Sequence, residues 1–545
     1  MLRRLSVFSG GATPASIARV CALDGDPAPQ AGAAVESAAT IDIVASLVDK
    51  SLVTATGERE VRYRLLETMR AYADERLAEA GETERVRRAH ARFFVELAER
   101  AEPLLRSSDQ VTWLRLLTDE NDNCAAALRF AIEEEDVATA LRFVGALTWF
   151  WLMRDYETVA SEWAVAARAL AGDTAPAGLE DAYALCGLFA MLGRARAEPD
   201  LAEPGQMAAG MQRITEVAQG SSHPMLVVAG AAVTVVSGDL AGARRMLTAM
   251  SGHEDPWLRA AALLFSGYLA VTEGDIDAAA TGMDGGYAAF RQIGDRWAMS
   301  VSLNGMAQVA MARGEPAAAV ALLEEARGHA IEGLAANWSE MVSIPLGQAR
   351  AAAGDLAGAR ADIEHGVEIA GRLGEHDDEA TGYVKLSEIA RRSGDLAAAR
   401  GLLERALEII EPRAYRMEMI GTAAAAYTSR GCVAEQEGDL TAAAHWHARA
   451  LATLADPSAM IRPSNPTLAA VVEGIAALAA ARGDADRAAE LLGLAHVLQG
   501  FRNAASLETN RAAGIATAAL GEAGFTAAYA RGQLLSRADA VALTP

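Results

Sequence analysis

Gly394-Asp395-Leu396-Ala397-Ala398-Ala399 is the stretch that decides the fold, because it recurs. Close copies stand at Gly238-Asp239-Leu240-Ala241-Gly242-Ala243, Gly274-Asp275-Ile276-Asp277-Ala278-Ala279 and Gly314-Glu315-Pro316-Ala317-Ala318-Ala319. Others run from Gly354 to Ala359, Gly438 to Ala443 and Gly483 to Ala488. Successive glycines lie 36, 40, 40, 40, 44 and 45 residues apart. A near-constant period in this range marks a solenoid, in which each unit buries its apolar face by stacking on its neighbours.

The phrase carries a local mechanism. Glycine ends one helix in the left-handed conformation without a Cβ penalty. The acidic residue after it caps the next helix or favours its positive end. Five residues after each glycine stands an alanine: Ala243, Ala279, Ala319, Ala359, Ala399, Ala443 and Ala488. Seven before it the residue is again small: Ala231, Gly267, Ala307, Gly347, Ser387, Gly431 and Ala476. Small residues at two fixed points of a helix pair allow the two backbones to approach closely. The pattern resembles the tetratricopeptide repeat, with a small residue in helix A, a turn, and a small residue in helix B. The longer period implies longer helices or longer loops than that family's usual unit.

Composition agrees with helices. The chain of 545 residues is rich in alanine, with aromatics only 5%, which favours helix over sheet. Its net charge is −23, so the surface as a whole repels nucleic acid and anionic membrane. The charge is uneven: residues 1–100 carry 14 Lys+Arg against 15 Asp+Glu, the remainder 35 against 57. Cys21, Cys124, Cys186 and Cys432 form no CxxC pair and read as reduced, buried thiols. No signal peptide is indicated at Met1-Leu2-Arg3-Arg4-Leu5, and the apolar run Met225 to Val236 is too short to span a bilayer. The expected location is the cytoplasm.

Ahead of the repeats the pattern changes. Thr13-Pro14 is an N-cap with proline at the first helical position, opening a helix to about Cys21. A Gly/Pro/Ala loop is expected from Asp24 to Ala34, then a helix over Ile41–Lys50 with Ile43, Val44, Leu47 and Val48 on one face. Leu52-Val53-Thr54 and Val61 to Leu65 flank Gly57-Glu58 as a hairpin, and Glu67 to Ala80 is a helix ended by Gly81. Helices followed by a hairpin suggest a winged helix.

Five stretches carry a second resemblance. Leu2 to Gly11, Leu47 to Val53, Tyr63 to Ala73, Ala488 to Gly493 and Leu520 to Phe525 resemble the STAND-type bacterial regulators, including large LuxR-like and SARP-type proteins. These join an NB-ARC ATPase to a winged helix and tetratricopeptide repeats. The resemblance places an ATPase domain before the winged helix, whereas Met1 stands where that domain would end. It also sets Leu65, Leu66 and Glu67 where related proteins carry a nucleotide-sensing Met-His-Asp triplet; with no imidazole there, sensing by that route is not expected. An ATPase domain in cis or trans is an implied partner.

The expected fold is all-α: a tetratricopeptide-like α-solenoid preceded by a small winged-helix domain with a two-stranded wing. The divisions read from sequence are 1–85 for the winged helix, 86–220 for a helical linker with degenerate repeats, 221–497 for the array and 498–545 for a helical cap. Within the linker, Glu135-Asp136-Val137 to Ala140 reads as a decayed copy of the phrase, and Trp149, Phe150, Trp151, Tyr156 and Trp163 as core between helices.

Catalytic motifs are not found. A P-loop needs a lysine after glycine, and the two lysines, Lys50 and Lys385, follow Asp49 and Val384. No HExxH or GxSxG occurs, and His445-Trp446-His447 has no second ligand pair near it in sequence. No enzyme, cofactor or metal is expected. The helix over Ile41–Lys50 offers Asp42, Ser46 and Asp49 with one lysine, a poor set for reading a DNA groove. The favoured function is therefore a protein-interaction or sensor module; the alternative is a DNA-binding regulator acting through the winged helix. Helix A lines the concave face in tetratricopeptide arrays, which implies a groove strip of Tyr268, Asn304, Gln308, Gln348 and Glu388, with Arg391, Arg392 and Glu435 one turn further along. A protein, a peptide or a small effector is the expected partner.

Overall fold

A computed structural model describes residues 1–21, 34–57, 61–154, 156–197, 204–236, 239–331, 336–413, 419–455, 465–503 and 506–545. The expected loop over Asp24–Ala34, the tip of the hairpin at Glu58 and the first repeat glycine, Gly238, lie wholly or mainly outside the described residues. The chain forms two compact units, Met1–Ala202 and Glu203–Pro545.

The first unit opens with a 3-10 turn, Leu2–Val7, and the helix Pro14–Val20. Thr13 caps that helix reciprocally with Ser16 in a capping box. The helix Ala34–Asp49 leads into two antiparallel strands, β1 (Val53–Thr56) and β2 (Arg62–Leu65), paired Val53 with Leu65 and Thr56 with Arg62. Ala12 adds a single bridge to Tyr63. On the helix before the hairpin Val44 is buried, but Ile43 is exposed, so the apolar face is narrower than the sequence suggests. The helix Glu67–Glu79 ends before Gly81, whose φ is +67°.

Charge pairs tie this winged helix to the later helices of the unit. Arg4 is buried and meets Glu82 at 2.5 Å, while its Nη1 donates to the Cys21 carbonyl. Hydrogen bonds from Arg4 and Arg3 hold the Glu82 carboxyl far below the usual carboxylate range. Arg62, at the foot of β2, reaches Glu120 at 2.7 Å and also donates to the Gly10 and Gly11 carbonyls. Asn123, fully buried, donates to the Gly11 carbonyl at 2.9 Å. The hairpin is thereby fixed to the helix pair Gln110–Asp119 and Asn121–Glu133.

The helices Val137–Arg154, Glu157–Ala171 and Glu180–Ala197 complete the unit. At the decayed copy of the phrase, Glu135 takes the left-handed conformation (φ 55°) that glycine holds elsewhere, and Asp136 accepts from the Thr139 amide. Trp149, Phe150 and Trp151 are buried and Tyr156 packs on Phe150, so this aromatic cluster is core.

The second unit begins with the helix Pro204–Gly220 and continues as seven helix pairs, each an A helix and then a B helix. Repeat 1 is Pro224–Val236 and Leu240–Ser251; repeat 2, Pro256–Glu273 and Ile276–Ile293; repeat 3, Arg296–Ala312 and Pro316–Ile331. Repeat 4 is Ala336–Ala352 and Leu356–Leu373; repeat 5, His376–Arg392 and Leu396–Ile410; repeat 6, Met419–Gln436 and Leu440–Ala455. Repeat 7 is Asn465–Ala481 and Ala485–Gln499.

From Gly274 onward the repeated phrase does at its turns what its chemistry allows. The glycines from Gly274 to Gly483 have φ between +77° and +94°. The next residue's amide bonds five residues back, as in Asp395 to the Ala390 carbonyl at 3.0 Å, closing a Schellman turn. The Asp395 carboxylate then accepts from the Ala398 amide at 2.9 Å, and Asp239, Asp275, Asp355, Asp439 and Asp484 cap their helices in the same way.

All seven alanines five residues after the glycines have no solvent exposure. At repeats 2 and 4 the small residues on the A helices, Gly267 and Gly347, face them. A Cβ on Gly282 would lie 2.6 Å from the Gly267 nitrogen, and one on Gly347 would lie 2.8 Å from the Ala359 carbonyl oxygen. The fold is thus an all-α tetratricopeptide-like solenoid following a winged helix.

Candidate functional site

The A helices of repeats 3 to 7 line a groove in the second unit. Periodicity explains which side chains arrive there: with B helices covering the opposite flank, one face of each A helix remains for the groove. Asn304 and Gln308 come from repeat 3, Gln348 from repeat 4, and Lys385, Glu388, Arg391 and Arg392 from repeat 5, all around a cavity of about 570 Å³. Six of the eight residues expected on this face therefore share one cavity. Tyr268 and Glu435 stand outside its lining. Tyr268 donates to the Val301 carbonyl at 3.1 Å, which ties repeat 2 to repeat 3. Burial pushes its hydroxyl up to about 12, against a hydrogen bond with Asn304.

The groove is roofed by the chain itself. After repeat 7 the backbone turns at Gly500 (φ +83°), and Gln499, Phe501 and Asn503 join the cavity wall, with Ser506, Leu507 and Glu508 after them. Ser506 caps the helix Leu507–Gly532 by accepting from the Thr509 amide. Across the groove, Gly500 meets the turn glycine of repeat 2 so closely that a Cβ on it would lie 2.1 Å from the Gly274 carbonyl oxygen. Beyond a bend at Gly521 the same helix packs on the last B helix, where Gly493 faces the Tyr529 backbone and Gly532 the Glu490 backbone.

Ion pairs bind the roof to the groove floor. Arg391, whose side chain is 3% exposed, pairs through Nη2 with Glu508. One turn along, Arg511 pairs with the buried Glu435. Burial disfavours the Arg391 charge, but the adjacent Glu508 more than offsets it and leaves the guanidinium above its ordinary value. Burial likewise pushes Glu508 up, and Arg391 reverses it, so that carboxyl sits below its usual value. Glu435 is raised by burial against the pull of Arg511.

Two further titratable groups lie beneath the roof. Glu473, 5% exposed, is pushed up by burial to about 7, opposed by hydrogen bonds from Ser506 and Asn503, the latter at 3.4 Å. His447 has no solvent exposure, and its ring stands between Gly431 and Gly474, where a Cβ on either would come within 2.7 Å of Cε1. Burial brings its imidazole down to about 4, so it is neutral.

Sequence reading missed Lys385, Glu473, Asn503, Glu508 and Arg511. The capping serine at 506 was a legible signal for a helix start, but nothing periodic places that start against repeat 5. Among the described residues no cluster of His, Cys, Asp and Glu is suited to hold a metal. The four cysteines are free and buried, and burial raises each thiol, to about 12 at Cys21 and Cys186. No described helix is long and apolar enough to cross a membrane.

Comparison with known proteins agrees with this anatomy. A winged helix-turn-helix domain family model matches residues 1–78, and a tetratricopeptide repeat model matches residues 340–411. A Mycobacterium bovis protein, provisionally described as an HTH-type transcriptional regulator, is 32% identical over 164 residues. The match takes in 30% of this chain and 17% of the relative; a Mycobacterium tuberculosis protein of the same description matches equally. The chain thus spans about a sixth of the length of these relatives. Among solved structures, a Rap protein complexed with competence and sporulation factor is similar at a TM-score of 0.41 and 11% identity, covering 66% of this chain and 99% of that one. A STAND protein with a tetratricopeptide repeat sensor from Pyrococcus horikoshii is similar at 0.40 and 14%, covering 91% of this chain and 62% of that one. These scores speak to a general likeness of helical arrays and to nothing finer.

Proposed function

We propose that the chain is the non-enzymatic sensor or interaction module of a STAND-type regulator, of the kind that includes the LuxR-like and SARP NB-ARC proteins, and that it works in the cytoplasm. The observation that carries this is the groove. Amide and charged side chains from repeats 3, 4 and 5 converge on one cavity. Its volume lies in the range of small-molecule and short-peptide sites. An ATPase domain, in cis or in trans, is the partner to which occupancy of the groove is communicated.

The test starts from a partner or effector recovered on the immobilised chain. Gln308→Ala combined with Gln348→Ala is expected to weaken its binding about tenfold or more, roughly 1.4 kcal/mol, without lowering the melting temperature. Unchanged affinity moves the site off the groove.

The winged helix-turn-helix match and the description of the mycobacterial relatives support a second reading, a DNA-binding regulator. Two observations weigh against DNA contact by these residues. The helix Ala34–Asp49 exposes Asp42 and Asp49, and carboxylates facing phosphates are unfavourable. Arg62, the basic residue at the foot of the wing, is committed to Glu120. We therefore assign the winged helix a joining role. Salt-dependent binding of duplex DNA by the full chain, lost on Arg64→Ala or Lys50→Ala, would reverse that assignment.

A further inference from the structure

The helix Leu507–Gly532 has two halves on different footings. Gly521 divides them at φ +70° and ψ 167°, a backbone conformation left almost entirely to glycine. Residues 522–532 lie nearly backbone to backbone on the last B helix. A Cβ on Gly493 would stand 2.0 Å from the Tyr529 carbonyl oxygen, and one on Gly532 would stand 1.8 Å from that of Glu490. Phe525 and Ala528 of this half are buried, and the Tyr529 hydroxyl bonds His496 Nδ1 at 2.8 Å.

Residues 507–520 are held otherwise. Their buried side chains are Thr509 and three alanines, Ala512, Ala513 and Ala516, so little apolar area anchors them. Charge does more: Glu508 pairs with Arg391, and Arg511 with Glu435. Those pairs are incompletely satisfied. Arg391 Nε and Nη1 and Arg511 Nε are buried without a hydrogen-bond partner, which costs free energy for as long as the contact stays shut. A segment with small apolar anchorage and unsatisfied polar contacts belongs to the part of a fold that opens locally, ahead of global unfolding. The floor it covers is also the face that the repeat pattern offers to a partner, since Arg391 and Glu435 stand on the A helices of repeats 5 and 6.

We propose that residues 507–520 are an autoinhibitory strap. While Glu508 and Arg511 hold Arg391 and Glu435, the A-helix face of repeats 5 and 6 is closed to a partner. It opens when the strap lifts between two fixed ends, the turn at Gly500 and the half-helix 522–532. The proposal rests on the groove reading above and adds its regulation.

The experiment is hydrogen exchange of the full chain read by mass spectrometry, with melting recorded alongside. In the wild type, residues 507–520 are expected to exchange at least tenfold faster than residues 522–532. Glu508→Gln leaves the Arg391 charge unpaired. In a permanent contact that loss lowers the melting temperature of the whole unit. In a strap it opens the segment instead, so exchange over 507–520 should rise at least tenfold further while the melting temperature and exchange over 522–532 hold. Arg511→Gln should act in the same direction. Cys432, buried and lining the cavity with Glu508, supplies a native probe: a thiol reagent should label it at least tenfold faster in Glu508→Gln, with Cys21, Cys124 and Cys186 unchanged. A synthetic peptide copying residues 501–520 reads the competition. The Glu508→Gln chain should bind it at least tenfold more tightly than the wild type does, because its own strap competes less. Equal exchange of the two half-helices in the wild type, a melting loss in Glu508→Gln without selective exchange, or peptide binding that is equal or absent in both chains would each overturn the proposal. None of these readouts uses a partner, so their failure leaves the groove reading to the Gln308 and Gln348 substitutions.

Discussion

Ala359 illustrates how little room a repeat position leaves. It is unexposed, and its carbonyl oxygen lies where a Cβ on Gly347 would intrude. Ala359→Leu is expected to cost about 1–3 kcal/mol by overpacking. The same change at exposed Ala361 should cost little, and equal melting shifts would contradict the register. Glu473 gives a pH signature. Its folded value, about 7 against 4.5 for an ordinary glutamate, means that the folded state holds a proton the unfolded state has released between those values. Stability from this group is thus present at low pH and lost as pH rises toward 7, by about 3 kcal/mol in all. The buried neutral imidazoles His90, brought down to about 3, and His447, to about 4, act oppositely: their contribution stands above about 6.5 and is lost on acidification. Two imidazoles against one carboxyl leave a net rise, so denaturant unfolding should show wild-type stability climbing with pH between 4.5 and 6.5 at about half the slope of the imidazoles alone. Glu473→Gln should show a plain rise with pH over that window, and should exceed the wild type most above pH 7.

At the scale of the element, two kinds of glycine do separate jobs. Gly394 ends the A helix of repeat 5 at φ +79°, with nothing within reach of an added Cβ. Gly394→Ala should cost about 1–2 kcal/mol, from left-handed backbone alone. Gly282 has an ordinary helical backbone but touches the opposing helix, so Gly282→Ala forces two backbones apart and should cost more than Gly394→Ala in chemical denaturation. The wing hairpin is an element held by charge. Removing one partner of the pair Arg62–Glu120, whose side chains are 12% and 6% exposed, leaves a buried charge unmatched. Glu120→Gln should destabilise the first unit by about 3 kcal/mol or more, read as a shift of one transition in a two-unit unfolding curve. A single unshifted transition would argue that the pair is dispensable.

For the whole molecule, the chemistry of the chain predicts a negative result. Isothermal titration of these 545 residues with Mg·ATP should be flat, because neither lysine follows a phosphate-cradling glycine loop. Micromolar binding would oblige a different reading of the chain. The sensor reading also makes the roof, rather than the outer surface, the place where occupancy is translated. Its contacts join residues far apart in sequence: Glu508 to Arg391, Arg511 to Glu435 and Gly500 to Gly274.

By itself the sequence determined the helical array and its turns. Those features are periodic, and they rest on local rules: left-handed glycine, capping aspartate, and small side chains where helices cross. Thr13-Pro14, the hairpin from Val53 to Leu65 and the stop at Gly81 were legible for the same local reasons. Tertiary structure alone decided that the segment after Gln499 returns to roof the groove, that Arg391 is paired with Glu508, and that Glu473 and His447 lie beneath them. Those facts follow from burial and from ion pairs spanning about a hundred residues. A low-dielectric setting gives such pairs their strength, and no periodic signal in the chain marks where that setting will form.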